Sequence, residues 1–456
     1  MGARAGKPVL RDVPPLPGRA ISVAPGRPRC YSGSAVRDAQ GRIRLFYTGN
    51  RKEPTGYRGT RRIPSINQVF VANPGGEHGG FYRKDSSNPL VSGAPPGFTG
   101  HVRDPQITRR GERWLMVLGA QREDRTAAVV TYLSSDLDHW EFSGELGIDA
   151  AAAEPGSAPV VVPGGYMWEC PNLIDMVDEA DGKTYQVLIL CPQGLARIDE
   201  ESPAGKWPLT HFANSDQCGY LVGRLELGVG TAPLFRVLRG FSELDYGYEF
   251  YAPQAIPDSL GGALLVAWMG LPGSDAAPSV ADGWVHMLTL PRRLRLVHGR
   301  ILQEPVVGTN HGAVAAVEPR AVMRVDVDCS SNSDAELVLS DTAGVPALRL
   351  SWHASGEVLS ITRAPQAGSC AAADVWDQAG SAEREEGNRP STEAHAQRDR
   401  LERGDTRRIA SFPGRLSMLI DGPAIEIFAG NGQVAASVVA WPSPGAEWVR
   451  PRATYL

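Results

Sequence analysis

Glycine and proline together make up almost a fifth of this chain, 51 and 36 of its 456 residues. That density of turn formers limits the fold more than any other feature. A proline inside a helix costs about 3 kcal/mol and a glycine about 1 kcal/mol relative to alanine, so long helices are penalised throughout. Many short strands joined by tight turns suit such a sequence. The runs at 43–48, 114–118, 128–133, 185–190 and 263–269 are β-patterned, too short for an ordinary helix, and bounded by Gly, Pro, Asp or Ser. The stretch 134–140 reads as a turn between two strands, with Trp140 packing beneath it. An all-β propeller, sandwich or barrel follows.

The pattern changes after Pro291. An alternating stretch at 294–297 and a polar bridge to about Pro319 lead into strands at 321–327, 335–339, 347–352, 358–362, 415–420, 425–428 and 434–440. These form a second all-β unit, most simply a sandwich. The expected organisation is a first domain over 1–295, a linker over 296–318 and a sandwich over 319–456. Within the sandwich, 364–408 is polar and rich in Ala, Glu, Arg and Gly, and is expected to be a disordered or loosely helical insertion.

The formal net charge of −5 disfavours a nucleic-acid partner. No apolar run approaches the roughly 18 residues that cross a bilayer, so no membrane partner is expected. Residues 1–26 lack the apolar core of a signal peptide. Six cysteines without a CxxC pair suit reduced thiols, and both observations point to the cytoplasm. Nine histidines form no metal-ligand spacing, and phosphate-loop, zinc-protease, serine-elbow and calcium-hand motifs are absent, so neither metal nor cofactor is expected.

What remains is a pair of acidic residues in unusual settings. Arg103-Asp104-Pro105 follows a Gly-rich loop, and Trp168-Glu169-Cys170-Pro171 follows Gly164-Gly165. The prolines bias the carboxylate backbones toward extended geometry. Apolar neighbours should raise the pKa of Glu169, and the adjacent guanidinium should lower that of Asp104. Two carboxyls with divergent pKa values are what acid–base cleavage of a glycosidic bond requires, although an ordinary Arg–Asp pair and a rim glutamate fit the same residues.

The motifs taken in order resemble glycoside hydrolase family 32, the β-fructofuranosidases. They are Cys30-Tyr31-Ser32-Gly33-Ser34-Ala35-Val36 with Leu45-Phe46-Tyr47-Thr48-Gly49, then His101-Val102-Arg103-Asp104-Pro105, then Met167-Trp168-Glu169-Cys170-Pro171-Asn172-Leu173. Asp245-Tyr246-Gly247-Tyr248-Glu249-Phe250-Tyr251-Ala252 follows, then Trp284 with Leu288-Thr289-Leu290-Pro291-Arg292, and finally Ile420-Asp421-Gly422 with Ile425-Glu426-Ile427-Phe428. The resemblance implies a five-bladed β-propeller with its site in the central funnel, followed by a β-sandwich. It implies Glu169 as general acid/base, Asp104 as transition-state stabiliser and Arg103 as the residue holding both carboxylates. Tyr31, Ser32, Tyr251 and Trp268 would line the fructosyl subsite. The implied substrate is a terminal β-D-fructofuranoside such as sucrose, sucrose 6-phosphate or a fructan. Water is the only co-reactant, and no cofactor is needed.

The family's nucleophile is the Asp of an NDPNG-type motif, and no such motif occurs in the 456 residues. Asp12 is the only acidic residue ahead of Tyr31, in a setting unlike the motif. The expectation is therefore an incomplete first blade and a chain that, as written, lacks significant β-fructosidase activity. A non-catalytic fructoside-binding propeller and a five-bladed glycosidase acting on arabinose or xylose polymers are the competing readings.

Overall fold

The computed structural model of the chain describes residues 29–55, 59–76, 80–201, 207–228, 231–272, 277–306, 322–330, 332–365, 404–411 and 413–455. Among them, strands dominate and the only helical pieces are single 3₁₀ turns such as Pro278–Asp282.

Four antiparallel four-stranded blades come first. The first is Arg29–Arg37, Ile43–Thr55, Gly59–Ala72 and Phe81–Lys84, and the second is Phe98–Arg110, Arg113–Arg122, Ala127–Ser134 and Glu141–Glu145. The third is Met167–Val177, Thr184–Gln193, Gly219–Glu226 and Leu234–Glu243, and the fourth is Tyr251–Pro257, Ala263–Met269, Arg292–Val297 and Arg300–Pro305. In each, the strand named first lies innermost, and the four inner strands contact one another in sequence around the centre. Gly147–Asp149, which follows the second blade, pairs in parallel with the outer strand of the third. It covers that edge and ties the two blades together.

Alternation explains the burial. In Ala263–Met269 every second residue is buried, and the buried faces of adjacent blades meet in continuous apolar layers. Leu115, Val117, Trp168, Leu173 and Leu188 fill the space between the second and third blades. Ile174, Val187, Val222, Leu265 and Leu294 fill that between the third and fourth. Each fully buried aliphatic side chain contributes roughly 1.5–3 kcal/mol. In the turn at 134–140, Asp136 accepts backbone N–H groups of Asp138 and His139, and Trp140 lies edge-on to Phe46 at 6.1 Å.

The sandwich pairs Met323–Asp328, Arg415–Asp421, Ala424–Ala429 and Val434–Val439 in one sheet. Asp405–Ala410, Val358–Arg363, Pro346–His353, Ala335–Ser340 and Ala453–Tyr455 form the other. Leu337, Leu350, Ile361, Met418 and Ile427 are among the side chains packed between them.

Two expected boundaries move. A division at 295/296 would cut the strand Arg292–Val297, which turns through His298-Gly299 and pairs with Arg300–Pro305. The fourth blade therefore runs to Pro305, because the alternation that buries Leu294 and Leu296 continues through Ile301. The polar tract also ends earlier than 408. Asp405–Ala410 is an edge strand in which Arg407 is fully buried, its charge met by Glu243 of the propeller. Residues 366–403 of that tract, and the incomplete first blade expected ahead of Arg29, lie outside the described residues.

The segment 243–249 docks the two units. Glu243 pairs with Arg407, Asp245 with Arg292 at 2.9 Å, and Glu249 with Arg363. Arg292, with no exposed side-chain area, also reaches Glu426 of the sandwich at 2.7 Å and donates to Ser437 Oγ. Gly247 lies flat on the backbone of Ser437, where an added Cβ would stand 1.9 Å from a carbonyl oxygen. Only glycine fits there.

Candidate active site

The four inner strands share one local device. Each carries a bulge at the same level, between Tyr31 and Gly33, Arg103 and Gln106, Glu169 and Asn172, and Tyr251 and Gln254. In three of them the residue before a proline takes positive φ: Asp104 at 66°, Cys170 at 46° and Ala252 at 47°. This corrects the extended backbone that the following proline suggested for Asp104. Backbone in this region is strained for residues other than glycine, and the surrounding hydrogen bonds hold it. Asp104 donates its N–H to Thr48 Oγ1 at 2.8 Å, and its Oδ2 accepts the Cys170 N–H at 3.0 Å.

In the second and third blades the amide one position beyond the proline stitches neighbouring blades. Gln106 Oε1 accepts the Leu173 N–H, and Asn172 Oδ1 accepts the Ala255 N–H while its Nδ2 donates to the Cys170 and Pro253 carbonyls. A bulge re-aims the side chain beside it. Here the repeated bulges bring Arg103, Glu169 and Tyr251 together.

Arg103 Nε lies 2.6 Å from Glu169 Oε1, and the Tyr251 hydroxyl donates to Glu169 Oε2, also at 2.6 Å. Both carboxylate oxygens of Glu169 are thus held, and 17% of its side chain remains open. His101 Nδ1 sits 3.2 Å from Arg103. Ser32 reaches the Cys170 thiol. Tyr31 accepts a long hydrogen bond from Arg62 at 3.4 Å. Trp268 stands edge-on to Tyr251 at 6.3 Å and to His286 at 4.9 Å. All seven residues singled out in the sequence gather around this point. Asp12 lies outside the described residues.

The electrostatics reverse one expectation. Burial, reinforced by the charge of Glu169, pushes the Asp104 carboxyl up to about 6, with Arg103 and the Cys170 N–H opposing. Proximity in sequence suggested that Arg103 would neutralise Asp104 and lower its pKa. The guanidinium instead hydrogen-bonds Glu169, so Asp104 carries the desolvation cost. Arg103 loses hydration through burial, yet the carboxylates of Glu169 and Asp104 keep it firmly protonated. The Tyr251 hydroxyl is driven far above its usual range by burial and by the Glu169 charge, so it remains a donor.

Sequence reasoning missed Asp216. Buried and bridged by backbone to Gln193, it is close enough for its charge to raise the hydroxyl pKa values of Tyr166 and Tyr251. Its setting, Asn214-Ser215-Asp216-Gln217, reads as a polar turn and gives no signal. The blade-stitching amides did leave one, in the recurring Pro105-Gln106 and Pro171-Asn172. Among the described residues no cluster of His, Cys, Asp and Glu could hold a metal ion.

Comparison with known proteins agrees with this architecture. A sucrose-6-phosphate hydrolase of Klebsiella pneumoniae is 32% identical over 428 residues, covering 91% of this chain and 74% of that protein. One from Bacillus subtilis is 34% identical over 61% of this chain, which spans half of that relative's length. In fold, the chain is similar to a Bombyx mori β-fructofuranosidase crystallised with sucrose (TM-score 0.63, 24% identity, 93% of this chain and 77% of that one). It is also similar to a sucrose-6-phosphate hydrolase of Lactobacillus gasseri (TM-score 0.61, 21% identity, 93% and 77%). These neighbours are five-bladed propellers followed by a β-sandwich. The model of the glycosyl hydrolases family 32 N-terminal domain matches residues 22–305, ending where the fourth blade ends. The chain belongs to glycosyl hydrolase family 32.

Proposed function

We propose that the funnel binds the terminal β-D-fructofuranosyl unit of sucrose, sucrose 6-phosphate or a fructan, and that Glu169 is the general acid/base of its hydrolysis. The observation that carries this reading is the clasp of Arg103 and Tyr251 on the two oxygens of Glu169, near enough to the buried Asp104 for their charges to interact. A carboxyl fixed in one orientation can hand its proton to the leaving oxygen and, once ionised, take one from water. Asp104 stabilises the oxocarbenium-like transition state by accepting hydrogen bonds from fructosyl hydroxyls. Such charge-assisted bonds are about twice as strong as neutral ones. Tyr31, Ser32 and Trp268 form the subsite wall. The names of the bacterial relatives support a fructoside as substrate, sucrose 6-phosphate among them.

Retention of configuration needs a nucleophilic carboxylate about 5–5.5 Å from the acid/base. Since no NDPNG-type motif occurs in these 456 residues, the chain by itself supplies the acid/base and the stabiliser but not the nucleophile. That absence favours a second reading, fructoside binding without turnover. Calorimetric titration tests the shared core of both. Sucrose and 1-kestose should bind saturably to residues 1–456, while xylo- and arabino-oligosaccharides should not. Binding of the pentose oligomers in place of the fructosides would sink the assignment.

A further inference from the structure

Where the third blade meets the sandwich, a cavity of about 240 Å³ opens that shares no wall residue with the funnel site. At roughly 30 Å³ per water it holds about eight waters. Three arginines line it from three separate elements: Arg239 from Leu234–Glu243, Arg300 from Arg300–Pro305, and Arg408 from Asp405–Ala410. Arg239 is already engaged by Glu154 at 2.8 Å. The cavity's own carboxylate, Glu200, is engaged by His211 Nε2 at 3.0 Å.

Arg300 and Arg408 have no such match among the described residues. Among the described residues most arginines are met by a carboxylate, a carbonyl or an aromatic face, as Arg44, Arg122 and Arg292 are. Arg408 lines the cavity, and its Nε is buried and without a hydrogen-bond partner among the described residues, as the Nε atoms of Arg363 and Arg407 also are. A buried donor left without an acceptor is costly, more so when it is charged.

We propose that this cavity binds a phosphoryl group, free or carried on a hexose, clamped between Arg300 of the propeller and Arg408 of the sandwich. A planar carboxylate offers two oxygens and satisfies one guanidinium fork. A tetrahedral phosphate offers oxygens to forks arriving from two directions. Because the two arginines belong to different units, the bound group braces the docking of sandwich on propeller. The site is independent of the fructosyl subsite, and its occupation does not require turnover.

The test is thermal unfolding of residues 1–456 with increasing inorganic phosphate, with glucose 6-phosphate, and with chloride at matched ionic strength. A ligand that binds only the folded state raises the melting temperature saturably. The rise should appear with inorganic phosphate, or with glucose 6-phosphate alone if the hexose also contributes, and not with chloride. Arg300→Gln, at an exposed position, should weaken the apparent affinity at least tenfold while leaving the melting temperature in chloride unchanged. Arg408→Gln should do the same to the affinity. Should that variant fail to fold, Arg300→Gln alone decides. No saturable rise with either phosphate, or a full rise retained in Arg300→Gln, overturns the proposal. The second result would place the anion elsewhere, as beside Arg103 in the funnel.

Discussion

Replacing Asp104 by asparagine should make the folded protein more stable at neutral pH. The ordinary carboxyl value for this residue is 3.8, and in the fold it is pushed up to about 6, first by burial and then by the Glu169 charge. Between those values the native state holds a proton that the unfolded chain has lost, so stability falls as pH rises through that window. The gap corresponds to about 3 kcal/mol at about 1.4 kcal/mol per tenfold change, fully felt above about pH 6 and absent below about pH 4. An asparagine is a neutral near-isostere whose oxygen can still accept the Cys170 N–H. Allowing for the lost attraction to Arg103, Asp104→Asn should gain about 2–3 kcal/mol at pH 7.5 and close to nothing at pH 4. Thermal unfolding of the two proteins from pH 4 to 8 measures it, as melting curves that coincide in acid and separate by a few degrees at neutrality. An asparagine variant no more stable than the parent at pH 7.5, or a separation that shrinks as pH rises, would falsify this electrostatic reading of the site.

Other expectations follow from single contacts. Tyr251→Phe removes the donor on Glu169 Oε2 and should move the pH dependence of azide-supported cleavage more than it changes substrate affinity, which a pH–rate profile in azide beside a binding titration would separate. Arg292→Met leaves Asp245 and Glu426 buried without their cation, and should cost about 3–5 kcal/mol in denaturant unfolding. A cost below about 1 kcal/mol would mean that water reaches the pair. Gly247→Ala, which drives a methyl into the Ser437 backbone, should undock the sandwich and expose the interface to limited proteolysis.

The strands were legible because alternation, short runs and turn residues all agreed, as in Ala263–Met269, where the sequence run and the strand coincide. The fourth blade's last hairpin was not, because His298-Gly299 resembles a linker until its pairing is seen. The site's membership was also legible, since Arg103 and Glu169 stand in recognisable motifs. Its electrostatics were not, because a guanidinium next in sequence to Asp104 turns to Glu169, 66 positions away. Three residues of the recognisable motifs are architectural: Asp245, Arg292 and Glu426 meet at the docking surface, where a buried arginine needs two carboxylates. Nothing in a linear reading distinguishes a conspicuous acid in a funnel from one in an interface.

The central claim is that Glu169 is the proton donor of a fructosyl site whose nucleophile is not among these residues, and an external nucleophile tests it. Residues 1–456 should be incubated with sucrose and with an aryl β-D-fructofuranoside, with and without sodium azide, and the products identified by NMR. Azide should attack the anomeric carbon with inversion, giving the α-fructosyl azide from both substrates. Glu169→Gln should form it from sucrose at least 100-fold more slowly, the lower bound of general-acid assistance, and from the aryl fructoside nearly as fast as the parent, since a phenolate leaves without a proton. Robust azide-independent hydrolysis by residues 1–456, or equal rates on sucrose for the parent and Glu169→Gln, would contradict the account.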